Sequence, residues 1–225
     1  MIVQIYAFTD PEQAVAAAEM GVDQIGFVAG HYGEKVPGEL SFDAARRLVE
    51  ALPRTAKAVA LTMSTQVDEI LRMAEAVGPD FVHVSTDPFD VGLEAMAELR
   101  KRLPPSVKLM KAIPVGGQES LQMAIDFAAV SDVLLLDTKV AGMPGVGVTG
   151  RTHDWAISRQ IVAVVSIPVI LAGGLSPNNV AEAIRLVQPW GVDSNTATNI
   201  PGDLEKKDMA RVQAFVRAAR GAVHA

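Results

Sequence analysis

Cysteine is absent from this 225-residue chain. That absence excludes disulfide frameworks, thiolate metal sites and a cysteine nucleophile together. A basic excess is missing as well: the formal net charge is -6 and the isoelectric point lies near 5.2. Binders of nucleic acid or acidic membranes carry clustered positive charge, so the expected partner is a small molecule, with no nucleic acid and no membrane. No apolar run approaches the roughly 18 residues of a membrane span. The chain opens Met1-Ile2-Val3-Gln4-Ile5, with neither a basic leader nor a cleavage site, so a cytoplasmic protein is expected. His31, His153 and His224 show no ligand spacing with one another or with acids, so no metal is expected, and no cofactor either.

Linkers, charge blocks and low-complexity tracts are also lacking. With 49% hydrophobic and 20% charged residues, the chain can build one sizeable core, and residues 1–225 are expected to form one domain. Short apolar runs alternate with amphipathic segments throughout, the pattern of βαβ units and a parallel sheet. Strands are predicted to begin near Ile2, Gln24, Lys57, Phe81, Val107, Val133, Val169 and Gly191. Between them a stripe at i, i+3, i+4 and i+7 returns, as at Ala45, Leu48, Val49 and Leu52 or at Val180, Ala183, Ile184 and Val187. Ser41 should cap the second helix, Pro53 should end it, and Pro177 should sit just inside the seventh. Eight units fit a closed barrel better than an open doubly wound sheet, so the predicted fold is a single (β/α)8 barrel of the TIM type.

Such barrels place their sites on the loops that follow the strands. The seventh strand leads into Gly173 and Gly174 ahead of a helix, and the eighth leads into Asn195 and Thr196. Backbone amides and hydroxyls there suit a phosphate, although turn glycines need no ligand. The sixth strand ends in Asp137, a carboxylate at the barrel mouth suited to acid–base work, with a structural cap as the alternative. His83 and Lys111 lie on strands, where each is either a lumen-facing group or a satisfied structural one. A long connection from Thr138 to about Asp154 carries Gly142, Gly145, Gly147 and Gly150 and has the length of an active-site lid.

Together these residues resemble the phosphoribosylanthranilate isomerases. The resemblance runs along essentially the whole chain. Its most specific stretches are Lys111-Ala112-Ile113-Pro114-Val115, Leu135-Leu136-Asp137-Thr138, Gly150-Arg151-Thr152-His153-Asp154 and Leu171-Ala172-Gly173-Gly174-Leu175; Gly191-Val192-Asp193 and Lys207-Asp208 complete it. It implies an Amadori rearrangement of an aminoaldose phosphate, with Asp137 as general acid and Gly150, Gly173 and Gly174 gripping phosphate.

Departures fall on the chemistry. Where the family carries its cysteine base, this chain has Tyr6. A phenol would need a pKa shift of roughly 3 units, about 4 kcal/mol, to act as a base at neutral pH. Tyr6 is therefore read as a hydrogen-bond donor or a wall. Where the family has the arginine that grips anthranilate, this chain has Gly38 beside Glu39, and a carboxylate without its bidentate cation binds poorly. The expectation is accordingly an aldose–ketose isomerase of a small phosphorylated sugar-like substrate not linked to anthranilate. Asp137, His83 and Tyr6 are its catalytic candidates, and Gly150, Gly173, Gly174, Asn195 and Thr196 its phosphate ligands. Two other readings stay open: a true phosphoribosylanthranilate isomerase, and a phosphometabolite-binding barrel without catalysis.

Overall fold

The computed structural model describes residues 1–32, 36–138 and 153–222. Parallel strands run as β1 (Ile2–Ile5), β2 (Gln24–Ala29), β3 (Glu39–Leu40), β4 (Lys57–Thr62), β5 (Phe81–Val84), β6 (Lys108–Val115), β7 (Val133–Thr138), β8 (Val169–Leu171) and β9 (Gly191–Ser194). Helices α1 (Pro11–Glu19), α2 (Phe42–Ala51), α3 (Val67–Val77), α4 (Leu93–Arg102), α5 (Glu119–Ala128), α6 (Trp155–Val164), α7 (Val180–Val187) and α8 (Met209–Gly221) alternate with them.

The strand order is β1-β9-β8-β7-β6-β5-β4-β2-β3, and a further β1–β2 pairing closes the barrel. Eight of the predicted strands are thereby found, with the fifth starting at Lys108 rather than Val107. The addition is β3, which pairs with Val28 and Ala29 where β1 has already left β2 after Gln24 and Ile25. It carries no apolar run of its own, so periodicity gives no sign of it. Ser41 caps α2 through a bond from the Ala44 amide, as expected. Pro177 differs: α7 starts at Val180 and Pro177 lies in the turn before it. The glycine-rich connection after β7, Gly150 included, lies outside the described residues.

Side chains alternate along each strand, so the walls sort into two layers. Val28, Val59, Met110, Leu135 and Ile170 fill the lumen, while Ile5, Phe27, Leu109, Leu134 and Val192 pack outward against the helices. Lys111 falls on the outward parity. Its ammonium donates to the carbonyls of Val84 and Thr86 and lies 5.8 Å from the Phe127 ring centroid of α5. It is the satisfied structural group and does not enter the lumen.

Tyr6, just past β1, lies on the inward parity, and its ring occupies the space over Gly26. A Cβ on Gly26 would sit 2.4 Å from the Tyr6 ring. Overpacking of this kind costs about 1–3 kcal/mol. Gly26→Ala should therefore lower unfolding stability by that amount in denaturant titration, and an unchanged midpoint would refute the close packing.

Candidate active site

The lumen parity brings Gln4, Tyr6, Gln24, His83, Asp137 and Asp193 to the interior of the barrel. Gln4 and Asp193 are register partners on β1 and β9, and the Gln4 amide donates to Asp193 Oδ1 at 3.1 Å. Tyr6 Oη and His83 Nδ1 lie 2.8 Å apart across the lumen. Burial and then the charge of Asp193 push the Tyr6 phenol well above its ordinary range. Burial, helped by the Lys111 charge, pulls His83 down to about 3. At neutral pH the two form an uncharged pair, and a phenol so raised is no base.

A cavity of about 300 Å³ is lined by Asp137, by Gly173 to Ser176 and by Asp193 to Ala197. Four of the five phosphate candidates, Gly173, Gly174, Asn195 and Thr196, meet there; Gly150 is the one outside the described residues. The positive φ angles of Gly173 (+81°) and Gly174 (+64°) suit glycine alone and turn the chain so that its backbone faces the cavity. At Gly173 a Cβ would also come within 2.4 Å of Thr138 Oγ1 and 3.2 Å of Asp137 Oδ1. The Ser194 hydroxyl ties β9 to the loop after β8 by donating to the Leu175 carbonyl at 2.9 Å, and the Asn179 amide braces that loop internally by donating to the Gly174 carbonyl at 3.1 Å. This agrees with an anion grip built after the seventh and eighth barrel strands, here β8 and β9.

Asp137 ends β7 at the cavity edge. The Thr138 amide donates to its Oδ1 at 2.6 Å, yet burial prevails and pushes the carboxyl up to about 7. Asp193 is pushed to about 7 as well: burial and the Asp137 charge raise it, while the Gln4 amide and the Lys207 ammonium oppose them. Two carboxyls, one on each side of β8, therefore share one cavity. Tyr6 and His83 are not among its lining residues.

Asp193, Lys207 and His153 escape a reading by residue type alone. Lys207 is buried, lies 5.9 Å from the Phe8 ring centroid, and donates to Asn195 Oδ1 (3.1 Å), the Asn195 carbonyl (3.2 Å) and Asn199 Oδ1 (2.5 Å). It holds the loop after β9 in shape. Burial lowers it to about 7 against the pull of Asp193. His153 anchors the start of α6, with Nε2 2.7 Å from Ser158 Oγ and Nδ1 3.3 Å from Thr138 Oγ1. The signal for Asp193 was available, because it ends a strand at the mouth just as Asp137 does.

With this geometry in view, the comparisons decide the family. A family model described as N-(5'phosphoribosyl)anthranilate (PRA) isomerase matches residues 3–218. The chain belongs to that family. Among curated relatives, the N-(5'-phosphoribosyl)anthranilate isomerase of Haloferax volcanii is 36% identical over 98% of this chain and 95% of its own. The enzyme of the same name from Methanothrix thermoacetophila is 32% identical over 97% of both. The solved phosphoribosyl anthranilate isomerase of Thermotoga maritima superposes with a TM-score of 0.82 at 27% identity, covering 98% of this chain and all of that one. A phosphoribosyl anthranilate isomerase solved with reduced 1-(o-carboxyphenylamino)-1-deoxyribulose 5-phosphate gives 0.77 at 25% identity, with the same coverage. The expected barrel and aldose–ketose isomerase class both stand.

One expectation is overturned. The changes at Tyr6 and Gly38 pointed to a substrate without anthranilate, but the relatives that match across the chain carry the anthranilate isomerase name. Replacement of two side chains leaves the strand-end carboxyl and the cavity formed by the loops after β8 and β9 in place, so the changes at Tyr6 and Gly38 do not by themselves exclude the family's substrate.

Asp137 also couples pH to stability. Its folded pKa of about 7 exceeds the ordinary 3.8, so its favourable contribution is complete below 3.8 and is lost as pH rises through 7. Asparagine is exempt from that loss. Asp137→Asn should therefore gain thermal stability relative to wild type between pH 5 and pH 8, read from melting midpoints; a mutant-minus-wild-type difference that stays constant or falls over this range would contradict the raised carboxyl.

Proposed function

We propose that this protein is a phosphoribosylanthranilate isomerase, catalysing the Amadori rearrangement of N-(5'-phosphoribosyl)anthranilate in tryptophan biosynthesis. The carrying observation is a raised carboxyl, Asp137, opening onto a phosphate-sized cavity in a chain of this family. The reading treats residues 1–225 as one domain, needs no cofactor, and expects the enzyme in the cytoplasm.

The backbone of Gly173 and Gly174 and the polar groups of Asn195 and Thr196 hold the substrate phosphate, joined by Gly150 from the segment outside the described residues. Asp137, raised by burial to about 7 so that a large fraction carries a proton at neutral pH, donates to the ring oxygen. The C1–oxygen bond then breaks, and the nitrogen lone pair forms the iminium. General acid catalysis of this kind contributes about 10²- to 10⁴-fold. Tyr6 and His83, both neutral, form the floor beneath the reacting carbons and position them without taking a proton. Tyr32, Val36 and Leu61 pack against the lumen cluster, offering an apolar surface suited to an aryl group.

The test is turnover of enzymatically generated substrate, followed by loss of its fluorescence, together with complementation of a tryptophan auxotroph. Wild type should turn over and complement, and Asp137→Asn should lose about 10²- to 10⁴-fold in kcat. A wild-type protein that binds inorganic phosphate but neither turns over nor complements would refute the assignment.

A further inference from the structure

The Amadori reaction needs a second proton-transfer group, and the residue at the end of β1 cannot supply it. Tyr6 is buried, neutral and hydrogen-bonded to a neutral histidine. Lys111 is turned out of the lumen. We infer that Asp193 is the general base of this enzyme, removing the proton from C2 of the ring-opened substrate while Asp137 serves the oxygen side. This rests on the isomerase reading above.

Several independent features carry the assignment. Asp193 lines the same cavity as Asp137 and the phosphate loops, so a sugar anchored at Asn195 extends past its carboxylate. It is 7% exposed, with Oδ1 fixed by the Gln4 amide, which gives a base one held orientation. Its charged surroundings are also distinct. Asp137 faces it from β7, Tyr6 from the end of β1, and Lys207 from the segment before α8. A cation and an amide donor favour its ionised form against burial and the Asp137 charge, and Asp137 has one backbone amide against its own burial. Like charges in one cavity resist ionising together, so the pair shares one proton near neutral pH. Paired carboxyls that share a proton in this way divide the acid and base roles.

The step balances within the pair. Asp193 takes the C2 proton; the C–H electrons become the C1–C2 double bond, and the iminium electrons return to nitrogen, giving the enolamine. The C2 hydroxyl then yields its proton to the Asp137 carboxylate, which had given one to the ring oxygen. Asp193 delivers its proton to C1. The ketone is formed and both residues are restored.

The experiment compares Asp193→Asn, Asp193→Glu and Tyr6→Phe for kcat and for affinity toward the reduced product analogue, reduced 1-(o-carboxyphenylamino)-1-deoxyribulose 5-phosphate. Asp193→Asn should lose at least 100-fold in kcat with analogue affinity kept within about fivefold, on the scale of a lost base. Asp193→Glu should recover at least tenfold over Asn, and Tyr6→Phe should lose less than Asp193→Asn. The inference is overturned if Asp193→Asn keeps kcat within tenfold, if its loss in affinity matches its loss in kcat, if Glu recovers nothing, or if Tyr6→Phe is the more damaging change. An inactive wild type would instead strike the isomerase reading, so the two failures are distinguishable.

Discussion

Burial of two carboxyls on either side of β8 is the constraint on which this site depends. Alone at a surface, Asp137 and Asp193 would both be ionised at neutral pH and useless as an acid. In the barrel mouth, desolvation raises both to about 7, with unequal partners around them. Barrel closure is what makes this possible. The β1–β9 register sets Gln4 opposite Asp193, and the β8–β9 pairing brings the loops that follow these two strands side by side. A one-residue slip in either register would turn these side chains to the other face.

The supporting parts serve the same end. Gly26 leaves room for the Tyr6 ring, and Tyr6 in turn bonds His83 across the lumen. Lys207 organises the loop after β9 from beneath while lending Asp193 a positive neighbour. One buried lysine thus links the phosphate end of the site to its proton chemistry. Tyr6 stands where the family resemblance implies a cysteine base, and the Asp193 carboxyl lies on β9, the strand paired directly with β1.

Much of this was legible in the sequence. Seven strand starts are found at the predicted residues because buried parallel strands are written as near-continuous apolar runs, and the cap at Ser41 follows from its hydroxyl. Asp137 and the glycine pair were legible because strand-end position alone suggests chemistry in this fold. β3 was not, since two residues carry no period. Lys111 could not be oriented, because inward and outward parity depend on register rather than on residue type. The substrate was misread for a related reason. Two positions were set against the whole chain, whereas the cavity shared by β7 and β9 is seen only once the strands are paired.

A structure with reduced 1-(o-carboxyphenylamino)-1-deoxyribulose 5-phosphate bound tests the account most directly. The account predicts phosphate between Gly174 and Asn195, with C2 of the sugar chain within about 3.5 Å of an Asp193 carboxylate oxygen, a near-attack distance for proton transfer. Phosphate seated elsewhere, or C2 presented to Tyr6 with Asp193 turned away, would contradict it.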